Sequence, residues 1–284
     1  MKRTSIITAV CCSALFLSFP GYSQNKIHNT MKPAMLKQDP EYYRTQNQIQ
    51  NKQQLDKKLY DAVNAGNYSE IDSLLKEQAD INAITNIETP LMFAVRNGDM
   101  KMTKYLIKKG ADINKKITIG NRTPLYNAIM YGKADMVKLL LDKGADPGAL
   151  VEENRLYTNN TTRMEKNISL VFTAVQAHYS TPQILRMLLK KGASPDVTTS
   201  EGHRAITEAI YSRKVEQVRL LVNAGTDLNY KEKLPQPQQY RTDKDLTVLE
   251  YAYEVKKMCG RPDNLKKSEE IISIIEAKLK KNNR

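Results

Sequence analysis

Apolar residues recur along this chain in short bursts at helical spacing. Leu91, Ala94 and Val95 stand at i, i+3 and i+4, and Leu125, Ala128 and Ile129 repeat the stripe. Each burst opens on a Thr-Pro pair, Thr89-Pro90 or Thr123-Pro124, and stops near Gly98 or Gly132. A threonine hydroxyl caps a helix N-terminus, and proline at the first helical position loses no hydrogen bond, because its missing N–H would be unpaired there anyway. A second burst follows in each copy: Met102, Thr103 and Leu106, then Met136, Val137 and Leu140, ending at Gly110 and Gly144. The pattern predicts two short helices per copy, with Ala94 and Ala128 keeping the first one thin enough for its partner to approach. Neither is long enough to hold in water alone, so each pair has to bury its stripe against the next.

The copies are in register: "IETPLMFAVRNGDMKMTKYLIKKGADIN" is followed by "NRTPLYNAIMYGKADMVKLLLDKGADP". Weaker copies read "LYDAVNAGNYSEIDSLLKEQADIN" before them, and "SLVFTAVQAHYSTPQILRMLLKKGASP" and "GHRAITEAIYSRKVEQVRLLVNAGTDLN" after them. "TVLEYAYEVK" with "SEEIISIIEAKLKK" reads as a degenerate closing copy. The pattern resembles the ankyrin repeat, with its Thr-Pro-Leu-His-x-Ala opening and Gly-Ala-Asp ending. Over roughly residues 55–281 the resemblance implies an all-α solenoid of stacked helix-turn-helix units with hairpin loops, about six counting degenerate capping repeats. Three departures stand out. The family's histidine is Met92 in one copy and Tyr126 in the next, which predicts a stack leaning more on packing. The fourth copy opens on Ser169-Leu170, and the fifth on Arg204-Ala205.

The flanks have a different character. Residues 1–23 combine the basic Met1-Lys2-Arg3, an apolar run and small residues before Gln24, which predicts a secretory signal peptide. Residues 24–54 form a polar leader rich in Asn, Gln and Lys, flexible at first and helical from about Pro40. Two polar stretches, 148–166 and 230–246, break the repeat spacing and read as insert loops that either extend a binding face or are tolerated slack; residues 282–284 are a tail. No stretch after the leader is long and apolar enough to span a bilayer.

Lys plus Arg number 44 against 31 Asp plus Glu, a formal charge of +13, which suits an acidic partner or an anionic envelope polymer. Several lysines, Lys108-Lys109, Lys143 and Lys190-Lys191, precede a helix-ending glycine, where they complement the negative helix terminus. Export would keep the chain away from most nucleic acid, so none is expected. Removal of the signal peptide would take Cys11 and Cys12 and leave Cys259 alone, which reads as a buried, inert thiol rather than a bridge between two copies. His28, His178 and His203 have no zinc-ligand spacing, and neither a nucleophile elbow nor a phosphate-cradling loop appears. The aspartates of the Gly-Ala-Asp turns sit at a fixed repeat position, which argues for a role in the turn. No catalytic residue, metal site or cofactor is expected.

In ankyrin proteins the concave face is made by hairpin tips and the exposed side of each first helix. Carried over copy by copy, the resemblance implies a protein-binding patch of Thr85, Asn86, Glu88, Arg96 and Asn97, then Ile119, Arg122, Met130 and Tyr131, then Gln176, and finally Glu201, His203, Tyr211 and Ser212. Tyr131 and Tyr211 fall near the exposed ends of their helices, as interface anchors or as packing on the neighbouring repeat. His203 sits where the family places an exposed hairpin residue, as a surface contact. The reading is an exported, periplasmic or extracellular, monomeric protein that binds another protein without catalysis. A narrower alternative is an immunity or inhibitor protein against an enzyme toxin in the same compartment, and a third class is a binder of anionic envelope polymer.

Overall fold

The computed structural model describes residues 40–156, 162–231 and 245–282. The expected signal segment, the start of the leader and most of the 230–246 insert lie outside them. Residues Leu55–Arg284 form one compact unit, and Met1–Gln54 are assigned to another. The described residues hold twelve helices and one two-stranded sheet. Helix α1 (Pro40–Ala65) leads into α2 (Tyr68–Lys76). Then come α3 (Pro90–Asn97) and α4 (Met100–Lys108), and α5 (Pro124–Met130) and α6 (Ala134–Asp142). Strands β1 (Leu150–Leu156) and β2 (Thr162–Ser169) precede α7 (Leu170–Gln176) and α8 (Pro182–Lys190). The chain continues through α9 (Ala205–Tyr211), α10 (Val215–Asn223), α11 (Val248–Lys257) and α12 (Pro262–Asn282).

The local signals act as their chemistry requires. Thr89 Oγ1 accepts from Met92 N at 3.2 Å, Thr123 Oγ1 from Tyr126 N at 3.2 Å, and Ser169 Oγ from Phe172 N at 3.0 Å. The serine in the fourth copy therefore caps as threonine does. Thr247 and Glu250 close a reciprocal capping box on α11. First helices pack on first helices (α3 on α5, α5 on α7, α7 on α9, α9 on α11), and second helices pack in a parallel layer (α6 on α8, α8 on α10, α10 on α12). Between the layers runs one continuous core, from Leu59 and Ile71 through Leu91, Leu125, Leu140, Phe172 and Leu188 to Ile206, Leu221, Val248 and Ile275. Truncating one such leucine to alanine removes about 2–5 kcal/mol.

The recurrent Gly-Ala-Asp turns link one copy to the next. Asp112 accepts from Asn114 N at 2.8 Å and so closes its own turn, while Asp112 N donates to Asn82 Oδ1 of the preceding copy at 2.7 Å. Asp146 repeats the arrangement, with Asp146 N on Asn114 Oδ1 at 2.8 Å. At the start Asp56 supplies the acceptor for Asp80 N at 2.7 Å, and near the end Asp196 does so for Asp227 N at 3.1 Å. Ion pairs join the second helices as well: Asp72–Lys109 at 2.5 Å, Asp142–Lys191 at 2.9 Å, Arg186–Glu216 at 3.1 Å and Arg219–Glu270 at 2.9 Å. Two of the lysines expected simply to complement helix ends therefore also reach a carboxylate on the neighbouring copy.

The fold is mostly helical, but the 148–166 insert is not the loop its polarity suggested. It is an antiparallel ribbon with Val151 opposite Ile168 and Glu153 opposite Glu165. A bulge between Val151 and Glu153 breaks the register, and with it the alternation by which a strand is recognised in sequence. Val151 and Ile168 anchor the base of the ribbon in the core. The tips on either side complete its backbone pairing: Glu152 N donates to Gly120 O at 2.8 Å, and Ser200 N to Lys166 O at 2.9 Å. A Cβ on Gly120 would stand 2.6 Å from Glu152 O, so glycine is what lets tip and ribbon meet.

Gly132 has a similar constraint. Its φ is +63°, and a Cβ there would lie 2.2 Å from the backbone oxygen of Tyr179 in the next copy. Gly144 has φ +92° with open space around it. Gly144→Ala is expected to cost about 1–2 kcal/mol for the left-handed backbone alone, and Gly132→Ala clearly more in urea denaturation; equal costs would refute the close approach. Asp142 provides a pH test. Hydrogen bonds from Lys138 and Lys191 hold its carboxyl down at about 2, against 3.8 unperturbed. Its contribution to stability is complete above the unfolded value and is lost as pH falls towards 2. Thermal melts of Asp142→Asn should therefore fall less steeply than wild type between those values, and parallel curves would count against the pairing.

Candidate functional site

The hairpin tips come first, because the turns fix which side chains face outward. Thr85 and Glu88 exchange backbone hydrogen bonds at 2.9 and 3.2 Å around a two-residue turn. Its central residues, Asn86 and Ile87, both have positive φ, +53° and +71°. Such a turn favours Asn and Gly, and a β-branched residue in it is strained. Ile87 is nonetheless 69% exposed. In the next tip Ile117 N donates to Arg122 O at 3.1 Å, Gly120 and Asn121 supply the positive φ, and Ile119 is 60% exposed.

The first helices present the rest of the face. Glu88 and Arg96 form a two-pronged ion pair at 2.7 and 3.2 Å, and Tyr60 Oη donates to the same carboxylate at 2.8 Å. The guanidinium lies 5.2 Å over the Phe93 ring, and Tyr60 meets Phe93 edge-on. Burial, then the Glu88 carboxylate, push the Tyr60 hydroxyl up to about 12. Glu88 and Arg96 are thus each other's partners. One copy on, Tyr126 stands at the position of the missing family histidine, and its hydroxyl reaches forward to Glu153 on the ribbon. Burial first, and that carboxylate next, drive its pKa upward. The polar tie lost with the histidine is replaced here. Arg122 lies 5.6 Å over the Tyr126 ring.

Tyr131 and Tyr211 are each 47% exposed, so neither is consumed by packing on the next repeat. Asn86, Asn97, Glu201 and Ser212 are exposed, and Thr85 and Gln176 half-buried. Ser212 is occupied by Glu208 at 3.1 Å, and Met130 packs against the core. The structure therefore groups Arg96, Arg122, Tyr131 and Ile119 around the second and third copies and places Glu201, Tyr211 and Ser212 on the fifth.

Two expectations are corrected. His203 is not an exposed tip residue but 5% exposed, with Nδ1 3.1 Å from Glu165 Oε1. Thr199 Oγ1 donates to the same oxygen at 2.5 Å and accepts from His203 N at 3.1 Å. The ribbon covers this tip and carries a buried glutamate onto it, so the histidine anchors the insert. Cys259 is half-buried rather than enclosed: Arg213 Nε lies 3.4 Å from its sulfur and Ser268 Oγ 3.3 Å away. Burial pushes the thiol up, but Ser268 and Arg213 outweigh it and leave the thiol below its ordinary value. Ile84, Ile87 and Tyr179 escaped the sequence reading, although all are exposed. Ile87 lay between two residues assigned to the patch, in a turn too short to bury it.

Among the described residues, no three His, Cys, Asp or Glu side chains gather as a metal site. No described helix is long and apolar enough to cross a membrane. The fifth copy, which lacks a capping threonine, uses its Arg204 otherwise. The side chain is buried, donates to Asp196 Oδ1 and Asp227 O at 3.1 Å each, and lies 4.4 Å over the Tyr230 ring. What the face offers chemically is recognition by exposed apolar and aromatic groups and by oriented guanidinium groups.

Comparison with known proteins agrees with this architecture. Residues 59–151 match the family model described as ankyrin repeats (3 copies). A stretch of 48 residues is 46% identical to ankyrin repeat and SOCS box protein 3 of Homo sapiens, covering 17% of this chain and 9% of that protein. Another of 55 residues is 44% identical to a putative ankyrin repeat protein of fowlpox virus (strain NVSL), covering 18% of this chain and 15% of the viral protein. The chain thus spans only a small part of either relative. Its residues 59–151 thus resemble ankyrin repeats in sequence, and the helix pairs beyond them keep the same two-layer packing.

Proposed function

We propose that this chain is an exported binding module that grips another protein through its hairpin tips, first-helix ends and ribbon, without catalysis. The observation that carries the reading is Ile87. An exposed isoleucine in a left-handed turn position costs about 1–2 kcal/mol of local strain that glycine would relieve, and its side chain fills no space in the protein's own core. Strain of this kind collects at functional positions. Ile119, Tyr131 and Tyr211 extend the same kind of exposed apolar surface along neighbouring copies, and aromatic side chains are favoured interface anchors. Export rests on the N-terminal pattern of charged, apolar and small residues. Neutralisation of an enzyme toxin in the same compartment, the narrower form of this reading, has only the basic surplus behind it. Binding to an anionic polymer by charge alone would leave the exposed isoleucines without a role.

Cross-linked capture from the native cell envelope would identify the partner, and isothermal titration would then measure it. Ile87→Gly should stabilise the fold by about 1 kcal/mol while weakening the complex, and Tyr131→Ala or Tyr211→Ala should remove about 2 kcal/mol of binding if that residue is an anchor. A partner held with unchanged affinity by all three variants would exclude this face, and binding that collapses with added salt would favour the polymer reading. N-terminal sequencing of the mature protein should begin at Gln24; a retained Met1 would remove the argument for export.

A further inference from the structure

The turns between the two helices of each copy meet one after another along one edge of the stack. In the third copy the Lys133 side chain lies against Gly98 of the second, and Gly132 lies against the backbone of Tyr179 in the fourth. Lys214 of the fifth copy donates to Val175 O near the end of α7 in the fourth. Arg213 Nε, next to it, lies 3.4 Å from Cys259 Sγ in the closing copy. Three successive turns on this edge carry an exposed tyrosine: Tyr131, Tyr179 and Tyr211, with Tyr179 the most open at 68%. Their hydroxyls set them apart. Tyr60, Tyr105, Tyr126 and Tyr253 each donate to a carboxylate, of Glu88, Asp72, Glu153 and Glu276. Among the described residues, the hydroxyls of Tyr131, Tyr179 and Tyr211 have no such partner.

Spacing and donors together define the occupant. The first helices behind these turns pack side by side, α5 on α7 and α7 on α9, and packed helices stand about 8–10 Å apart. A polyproline II segment rises about 3.1 Å per residue with three residues per turn, so one turn spans about 9 Å and every third residue returns to the same side. An extended strand changes sides at every residue and falls out of step with such a row. An α-helix comes back into step after two turns, but its own N–H groups already take its carbonyls. Polyproline II has no internal hydrogen bonds, so its carbonyls are open to tyrosine donors, and its prolines dock on aromatic surfaces. The edge is also basic. Lys133 is exposed, Arg213 and Lys214 follow Tyr211, and the chain as a whole carries +13, which steers an acidic segment towards it.

Building on the protein-binding reading above, we propose that Tyr131, Tyr179 and Tyr211 form a docking edge for a proline-rich, acidic segment of a partner protein in the polyproline II conformation, one turn of ligand per copy. Each ring seats a proline, and each hydroxyl donates to a ligand carbonyl.

The test uses the full chain and a fluorescein-labelled, end-capped peptide of repeated Pro-Gln-Glu triplets, read by fluorescence anisotropy. Three controls share its length: one gathers all the prolines at one end, one has Ala for every Pro, and one has Gln for every Glu. The triplet peptide should bind more tightly than the first two by about tenfold, and than the third by a margin that shrinks as salt is added. Tyr131→Ala, Tyr179→Ala and Tyr211→Ala should each weaken it by about tenfold with thermal melts near wild type. Tyr179→Phe should keep part of the affinity. Absence of binding, equal binding of the gathered-proline control, or affinity unchanged by any one of the three alanine variants would each overturn the proposal. Tighter binding of the Ala peptide would overturn it in favour of a helical ligand, and equal binding of the all-Gln peptide would remove acidity from the ligand. If the triplet peptide binds through the three tyrosines while Ile87→Gly leaves a captured partner's affinity unchanged, the docking edge stands and the wider face assigned to binding is what fails. If a captured partner responds to Ile87→Gly and the triplet peptide does not bind, the protein-binding reading stands and the docking edge fails.

Discussion

Helices this short cannot hold themselves. The helices from α3 to α10 have seven to nine residues each, below the length at which a helix persists in water. Every one therefore takes its stability from the helix beside it, and the caps, turns and ion pairs are arranged so that each copy is completed by the next. The aspartate turn shows the principle at the scale of a single hydrogen bond. Its carboxylate closes its own loop, while its N–H is satisfied only by the Asn or Asp side chain one copy earlier. A copy taken out of the stack would lose its packing and leave a backbone donor without its partner.

This dependence frees the outer side from the work of stability. Because the interior is closed by contacts between copies, residues at the tips and first-helix ends can be chosen for something other than stability. Ile87 occupies a strained turn, Tyr131 and Tyr211 stay exposed, and Arg122 keeps a buried nitrogen unsatisfied. None of these choices helps the stack. Arg204 shows a charged residue drawn into the structure, its guanidinium spread between two loops and a tyrosine ring.

The scaffold was readable because its signals are local. Thr123-Pro124 announces a helix start whatever lies around it, and so does the Gly-Ala-Asp turn that follows α6. The ribbon was not readable, for two physical reasons. Its bulge scrambles the alternation of apolar and polar positions, and Glu165 breaks the rule that charge stays outside. That glutamate is buried because Thr199 and His203 come to meet it from another copy, and a pairing between distant positions leaves no trace in a single sequence. The same blindness misplaced His203. Tyr126 was noticed as a departure, but its consequence depended on Glu153, which the polar insert concealed.

The sulfur of Cys259 sits where three elements meet: the end of α11, the α9–α10 turn through Arg213, and α12 through Ser268. Lifting α11 away from the α9–α10 turn would remove the guanidinium that now steadies its thiolate form. The ionisation of this thiol would therefore report whether the last helix pair is seated against the copy before it, a built-in gauge at one end of the array.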